Sequence, residues 1–253
     1  MRLFALSDIH IDHPTNRQWV DELSLHDHRH DALILAGDVS DSIASLRWCL
    51  EALARRFHIV LFVPGNHDLW VYREAPGIDS FDRLDHLRTL AADHGVSTQA
   101  WITPELAIVP LLSWYDGTFG EYSPELRQRW ADFRACRWPA GVDDAAVCAR
   151  LLASNTTARP VARTVVTFSH FVPRRDLLTR SEKWTFLDPV MGTSALDPCI
   201  RELGSHLHVF GHSHRQVTIE RDGVTYVNRA FGYPAEQTPE SARLHCIDPW
   251  LNA

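Results

Sequence analysis

The chain repeatedly places Asp, His or Asn residues directly after short segments that are almost wholly apolar. Five such positions occur in order, and they read Asp8-Ile9-His10, Gly37-Asp38, Gly65-Asn66-His67-Asp68, Ser169-His170 and Gly211-His212-Ser213-His214. Short apolar runs bounded by turn residues are typical of buried strands. The carboxyl ends of the strands in an open α/β sheet meet at one edge, so we expect these polar side chains to converge there.

Strand and helix patterns alternate over the first 70 residues, which predicts parallel strands covered on both faces. We expect strands at residues 2–6, 32–36, 58–63, 96–101, 106–112, 163–168, 206–210, 215–220, 224–228 and 242–247. Helical patterns occupy residues 17–25, 42–55, 81–94, 124–134 and 143–154. No repeat or clear linker interrupts the series, and we therefore expect residues 1–253 to form one domain.

The charge and cysteine content restrict the classes of partner and the compartment. The net charge is −7, from 25 basic and 32 acidic residues. Extended nucleic acids and anionic membranes generally require a basic face, so neither is an expected partner. No apolar run reaches the roughly 18 residues of a membrane helix, and no signal peptide is evident. The five cysteines are odd in number and form no Cys-x-x-Cys pair, which favours a reducing cytoplasm.

The residue types in the five motifs are suited to binding metal ions. Residues two apart in an extended strand point to the same side, so Asp8 and His10 can reach one metal. Taken alone, Asp38 also fits a helix cap and Asn66 fits a turn. Together the motifs supply mixed oxygen and nitrogen ligands, which suit Mn, Fe or Zn better than Ca or Mg. A pair of such metals is suited to phosphoryl-oxygen cleavage, and a small phosphorylated substrate remains compatible with the acidic chain.

The ordered motifs, which span residues 8 to 214, resemble those of the calcineurin-like metallophosphoesterase superfamily. This resemblance implies a four-layer α/β/β/α sandwich with two mixed sheets and a site at the carboxyl ends of the strands. It implies two metal ions, one held by Asp8, His10, Asp38 and His214 and the other by Asp38, Asn66, His170 and His212. Asp38 would bridge the two metals, and a bridging hydroxide would attack a small phosphomonoester or phosphodiester.

His67 is implied to lie beside the scissile bond rather than to bind a metal. A histidine near its normal pKa can protonate an alkoxide leaving group, which makes His67 the candidate general acid. Asp41 lies three residues after Asp38 and has two interpretations, as the partner that orients His67 or as the N-cap of the following helix. Asp68 fits a structural role in which its carboxylate accepts hydrogen bonds from loop amides.

Several residues near the motifs are candidates for binding the substrate. Trp114, Tyr115, Arg174 and Arg175 would combine aromatic faces with guanidinium groups, an arrangement that can stack a base and pair with a phosphate. The alternative is that the aromatic residues pack beneath the loops. The chain also departs from relatives with Asn-Pro-Gly-Ser after the last hairpin, because it has Asn228-Arg229-Ala230-Phe231-Gly232 there. We expect this difference to affect the rim of the site.

Two functions other than hydrolysis of a small ester are compatible with the motifs. One is a non-catalytic scaffold that keeps the fold and binds protein partners, although no expected ligand is missing. The other is a nuclease acting on short oligonucleotides, which the acidic balance disfavours for longer substrates. Phosphoprotein phosphatases of the superfamily carry Arg-Gly after the second motif, and Ser42-Ile43 stands there in this chain.

Overall fold

The computed structural model describes residues 1–179 and 182–248. In this part of the chain the strands are β1 Leu3–Leu6, β2 Ala32–Ala36, β3 Ile59–Val63, β4 Trp101–Ile102, β5 Leu106–Pro110, β6 Thr164–Phe168, β7 Leu207–Phe210, β8 Val217–Arg221, β9 Val224–Asn228 and β10 His245–Cys246. The α-helices are α1 Pro14–Glu22, α2 Ile43–Ala54, α3 Ser80–Asp93, α4 Pro124–Arg129, α5 Asp132–Ala135, α6 Asp144–Ala153 and α7 Leu196–Glu202. Short 3₁₀ helices span His67–Leu69, Arg175–Leu177 and Glu182–Val190.

The strands form two mixed sheets. The first has the order β10-β1-β2-β3, in which β1, β2 and β3 are parallel and β10 is antiparallel. The second has the order β4-β5-β6-β7-β9-β8, with parallel pairing from β5 to β9 and antiparallel strands at both edges. The two mixed sheets with helices confirm the predicted α/β fold class, while the four-layer order stays a prediction.

One apolar cluster joins the two sheets. Alternate residues of strands in both sheets belong to it, among them Leu3, Ile34, Ile108, Val166 and Val209. Most of the remaining apolar residues of these strands belong to a second cluster that also contains residues of the helices. This division follows from the period of two in a strand, because each strand is apolar on both of its faces.

The starts of α2, α3, α4 and α6 are fixed by side chains that accept hydrogen bonds from free backbone N–H groups. Asp79 and Asp82 form a capping box at the start of α3, with the Asp79 carboxylate 2.8 Å from the Phe81 nitrogen. At α2 the capping residue is Ser42, whose Oγ accepts from the Ser45 N–H at 3.4 Å. The N-cap interpretation of Asp41 is therefore wrong, because the next residue is the one that caps α2.

The middle of the chain differs most from its predicted elements. The expected strand at 96–101 is reduced to a single bridge between Ser97 and Leu61, followed by the two residues of β4. The expected helix at 124–134 is divided into α4 and α5, because the backbone is extended at Trp130. This break brings Trp130 and Asp132 to the candidate site. The 3₁₀ helix Glu182–Val190 and α7 were not predicted.

Among the described residues no helix combines the length and the apolar character needed to cross a membrane. The five cysteines are all free of disulfide bonds, and Cys49 and Cys148 are buried.

Candidate active site

The five motifs follow β1, β2, β3, β6 and β7, and their side chains meet at the carboxyl ends of these strands. Two groups of potential ligands have donor atoms within 4.8 Å of one another, the first comprising Asp8, His10, Asp38 and His214 and the second Asp38, His170 and His212. Asn66 adjoins the second group, because its Oδ1 lies 3.2 Å from His170 Nε2. The structure therefore brings together all seven residues that the sequence predicted as ligands.

Asp38 belongs to both groups and presents a different oxygen to each. Its Oδ2 lies 3.8 Å from His10 Nε2, and its Oδ1 lies 3.5 Å from His170 Nε2. In the first group His10 Nε2 is 3.2 Å from His214 Nε2, and in the second His170 Nε2 is 3.1 Å from His212 Nδ1. Separations near 3 Å are those expected between ligands that surround one ion at about 2 Å.

Five of the seven ligand residues occupy an uncommon backbone conformation. Six non-glycine residues of the described chain have positive φ, and five of them are Asp8 (52°), His10 (41°), Asp38 (56°), His212 (67°) and His214 (50°). This conformation costs roughly 1–2 kcal/mol for each residue and tends to occur at functional sites. The expectation that Asp8 and His10 alternate within a strand is wrong, because β1 ends at Leu6 and both residues lie beyond it.

Backbone contacts hold these strained residues in place. The Asp68 carboxylate accepts hydrogen bonds from the backbone N–H groups of Asp38, Val39, Ser40 and Gly65 at 2.8–2.9 Å. The structural role expected for Asp68 is therefore confirmed. Burial raises the pKa of Asp68 to about 6, although these four bonds oppose the shift.

The electrostatics of the site favour cations between the ligands. Burial raises the pKa of Asp38 well above its ordinary value, and Asp8 and Asp68 raise it further. Burial also lowers the pKa of His10, His170 and His212, which keeps these rings neutral as metal ligands require. Within residues 1–179 and 182–248 no Lys or Arg side chain pairs with Asp8 or Asp38. The buried carboxylates and neutral imidazoles thus fit metal ions.

Three residues that the sequence did not identify support the ligands. Asp132 is buried, and its Oδ1 accepts from Asn66 Nδ2 at 2.9 Å, which turns Asn66 Oδ1 towards His170. Glu236 Oε2 lies 2.7 Å from His214 Nδ1, and Tyr233 stacks on the His10 ring with centroids 4.4 Å apart. The only sequence signal for the last two was the departure from Asn-Pro-Gly-Ser after β9.

A cavity of about 610 Å³ opens beside both ligand groups. Its floor contains Asp38, Asn66, His67, His212 and His214. Its walls include aromatic and apolar side chains and two guanidinium groups, namely Trp70, Trp130, Trp184, Leu187, Met191, Tyr233, Arg129 and Arg215. A second cavity of about 480 Å³ lies between α3 and β5 and contains none of the ligand residues.

His67 faces this cavity with its ring stacked on Trp70 at a centroid distance of 3.8 Å. Its Nε2 lies 4.0 Å from Asp38 Oδ2, and its backbone N–H donates to Asp38 Oδ1 at 3.0 Å. Burial lowers the pKa of His67 to about 3, with His214 and His170 contributing to the shift. Among the described residues no hydrogen bond joins Asp41 to His67. The Asp41 carboxylate instead contacts Tyr72 and Arg73. The expectation that Asp41 orients His67 through a direct hydrogen bond is therefore wrong.

The four expected substrate residues lie outside the cavity wall. Trp114 and Tyr115 are fully buried, where Trp114 Nε1 donates to Asp144 at 3.0 Å, so the aromatic pair packs beneath the loops. Arg174 forms ion pairs with Asp176, Asp197 and Asp222, and Arg175 lies 3.5 Å from Asp188. The expectation that these residues line the pocket is therefore wrong, and Arg129 and Arg215 are the guanidinium groups there.

Comparison with known proteins agrees with this geometry. The model of the calcineurin-like phosphoesterase family matches residues 1–216. The [acyl-carrier-protein] phosphodiesterase PptH of Mycobacterium tuberculosis is 37% identical over 127 residues, covering 46% of this chain but only 38% of that protein. The crystal structure of phosphopantetheinyl hydrolase (PptH) from Mycobacterium tuberculosis has a TM-score of 0.82 and 27% identity, covering 98% of this chain and 96% of that chain. The chain therefore belongs to the calcineurin-like phosphoesterase family.

Proposed function

We propose that this chain hydrolyses phosphodiesters at a dinuclear metal centre that is built around Asp38. The proposal rests mainly on the division of the Asp38 carboxylate, whose two oxygens face different histidines at 3.8 Å and 3.5 Å. Asp8, His10 and His214 would complete one metal position. Asn66, His170 and His212 would complete the other, so each position has oxygen and nitrogen ligands of the kind that Mn, Fe or Zn accepts.

Two such ions would supply Lewis-acid polarisation of the phosphoryl group and a water of lowered pKa. Hydrogen bonds within the chain itself hold the ligand residues in position. Asp68 holds the loop of Asp38 through four backbone hydrogen bonds, and Asp132 holds the amide of Asn66. A site whose ligands are held in this way has little reorganisation to undergo when metal and substrate bind.

His67 is placed to protonate the leaving group. When water attacks phosphorus and the phosphorus–oxygen bond to the leaving alcohol breaks, the electron pair stays on the leaving oxygen. His67 lines the cavity, and as an imidazolium it gives its Nε2 proton to that oxygen while the attacking water loses one proton to the solvent, so that an alcohol and a phosphomonoester are released. Burial lowers the pKa of His67 to about 3, and an anionic phosphodiester beside the ring opposes this shift because it favours the charged imidazole.

The substrate we propose is a phosphopantetheinyl group linked to a carrier protein through a phosphodiester. Support comes from the likeness to PptH, which extends over 98% of this chain at a TM-score of 0.82. The cavity adds a physical argument. Its apolar side, which includes Trp130, Leu187 and Met191, suits a flexible arm of methylene and amide groups, and the opening leaves the carrier protein outside.

Two assays with added Mn²⁺ test the proposal. Hydrolysis of bis-p-nitrophenyl phosphate tests the phosphodiesterase activity, and hydrolysis of a phosphopantetheinylated carrier protein tests the proposed substrate. We expect the wild-type chain to cleave both substrates and to lower the carrier's mass by one phosphopantetheine. Asp38→Asn should lose at least about 10³-fold in turnover, because it removes a shared ligand. Equal turnover by the variant would contradict the metal centre. Cleavage of the small diester with an unchanged carrier mass would contradict only the proposed substrate.

A further inference from the structure

Tyr233 lies on the segment after β9, where the sequence departs from Asn-Pro-Gly-Ser. Backbone hydrogen bonds fix this segment against the first motif, since Phe231 N–H donates to Ser7 O at 2.8 Å and Gly232 N–H donates to Asp8 O at 2.9 Å. The Asn16 side chain also donates to Gly232 O at 3.1 Å. Tyr233 is consequently held in a defined position relative to Asp8 and His10.

The ring of Tyr233 covers the first ligand group. It is stacked on His10 with an interplanar angle of 27°, and its centroid is 4.9 Å from that of His214. The side chain therefore has few alternative orientations. This packing directs the phenolic hydroxyl across the face of His10 towards the cavity.

The hydroxyl group reaches the same part of the cavity as His67. Tyr233 Oη lies 3.5 Å from His67 Nε2, a separation at which a hydrogen bond is weak. Both residues line the cavity beside Asp38. Within the described chain this long contact is the one hydrogen bond of the Tyr233 hydroxyl. The O–H group can therefore donate to a group that enters the cavity.

We propose that Tyr233 is a catalytic residue whose hydroxyl donates a hydrogen bond to a non-bridging oxygen of the phosphoryl group. This inference rests on the proposed phosphodiesterase function and extends it. Negative charge on the phosphoryl oxygens must be stabilised as the transition state forms, and fixed donors do so without reorganisation. Tyr233 donates a hydrogen bond to the phosphoryl oxygen, while His67 protonates the leaving oxygen beside it.

Tyr233→Phe is the informative variant because it removes the hydroxyl and keeps the ring that stacks on His10. We expect unchanged Mn²⁺ content and thermal stability, with turnover of bis-p-nitrophenyl phosphate lowered about 10- to 100-fold, the value of one hydrogen bond to a charged group. The dissociation constant of orthovanadate, measured by titration calorimetry on the Mn²⁺-loaded protein, should rise by a similar factor. Tyr72→Phe is the matched control, since Tyr72 is 50% exposed and lies outside the cavity wall.

Tyr233→Leu separates the hydroxyl from the ring. If only the Leu variant loses activity and vanadate affinity, the residue acts through packing and the proposal is overturned. Unchanged turnover and vanadate binding in Tyr233→Phe would overturn it as well. A wild-type chain that binds vanadate but cleaves no diester would contradict the proposed function, and the vanadate measurements would still decide the role of Tyr233.

Discussion

The ligand loops, which are the five motifs after β1, β2, β3, β6 and β7, are held in place differently from the cavity wall. In the ligand loops the contacts are mainly to the backbone, as in the four N–H groups that bond to Asp68. The cavity wall, whose side chains include those of Trp70, Arg129, Trp130, Trp184, Leu187, Met191, Arg215 and Tyr233, is held around Asp132 by side chains that contact other side chains. Asp132 alone accepts from Asn66, Trp70, Trp130 and Tyr115.

This difference has a consequence for how each region responds to substitution. Contacts to the backbone place ligands in strained conformations with no space for additional atoms. Contacts between side chains leave more freedom, because a neighbouring residue can turn when a partner changes. We therefore expect small changes in the ligand loops to have larger effects than larger changes in the cavity wall.

The largest effect should come from Gly65→Ala. A Cβ atom at Gly65 would lie 2.1 Å from Asp38 Oδ1 and 2.6 Å from Asp38 N, so the shared carboxylate must move. We expect a loss of about 3 kcal/mol or more in the free energy of unfolding, the upper range for an overpacked site. Bound Mn²⁺ and turnover of bis-p-nitrophenyl phosphate should both fall to the background level. Thermal unfolding, elemental analysis and kinetics check these outcomes.

Gly141→Ala is the control for this substitution. Gly141 has a φ of 81° with no atom within 4 Å of an added Cβ, so Ala brings backbone strain without a clash. The cost should be about 1 kcal/mol, with metal content and activity unchanged. The comparison between the two regions fails if Gly65→Ala retains full activity, or if both variants lose equal stability.

The same difference explains which parts of the site could be predicted from the sequence. Every ligand follows an apolar strand within a few residues, so strand patterns and residue types sufficed to identify Asp38 or His212. Asp132 carries no such signal, because it reaches Asn66 only through the break between α4 and α5. Proximity along the chain misled the prediction for Arg174, which follows His170 closely but turns away to Asp176 and Asp222.

Central and edge strands also differ in how well the sequence predicted them. Strands with several apolar residues were predicted nearly to their ends, since a central parallel strand needs both faces buried. Residues 96–101 resemble a strand in sequence, yet only a bridge at Ser97 and the two residues of β4 pair there. At the edge of a sheet, pairing depends on which neighbour the tertiary structure supplies, and a single sequence does not contain that information.

Asp132→Asn tests the connection between the two regions and should have an intermediate effect. An amide cannot accept hydrogen bonds on both sides, so either Asn66 and Trp70 lose the acceptor that they share at Oδ1, or Trp130 loses its acceptor at Oδ2. We expect the affinity for the second metal ion to fall about 10- to 100-fold, as for other groups that orient a ligand. Mn²⁺ titration followed by intrinsic tryptophan fluorescence measures this change.

Asp144→Asn provides the matched comparison for Asp132→Asn. Asp144 also accepts an indole N–H, from Trp114 at 3.0 Å, but it contacts none of the ligand residues. This variant should lose some thermal stability and keep the Mn²⁺ affinity of the wild type. Equal Mn²⁺ dissociation constants for the two variants would show that the cavity wall does not support the ligand loops.

The smallest effect should come from Arg215→Ala at the outer edge of the cavity wall. Arg215 is exposed, lines the cavity next to His214, and forms no ion pair within the part of the chain that the structure describes. An exposed charge contributes about 0.2–1 kcal/mol, so we expect KM for the phosphopantetheinylated carrier protein to rise less than about 5-fold. The rise should vanish at high salt, and kinetics on bis-p-nitrophenyl phosphate should be unchanged. Arg163→Ala, at a position 83% exposed and outside the cavity wall, is the control, and an equal rise in KM for both variants would remove Arg215 from carrier binding.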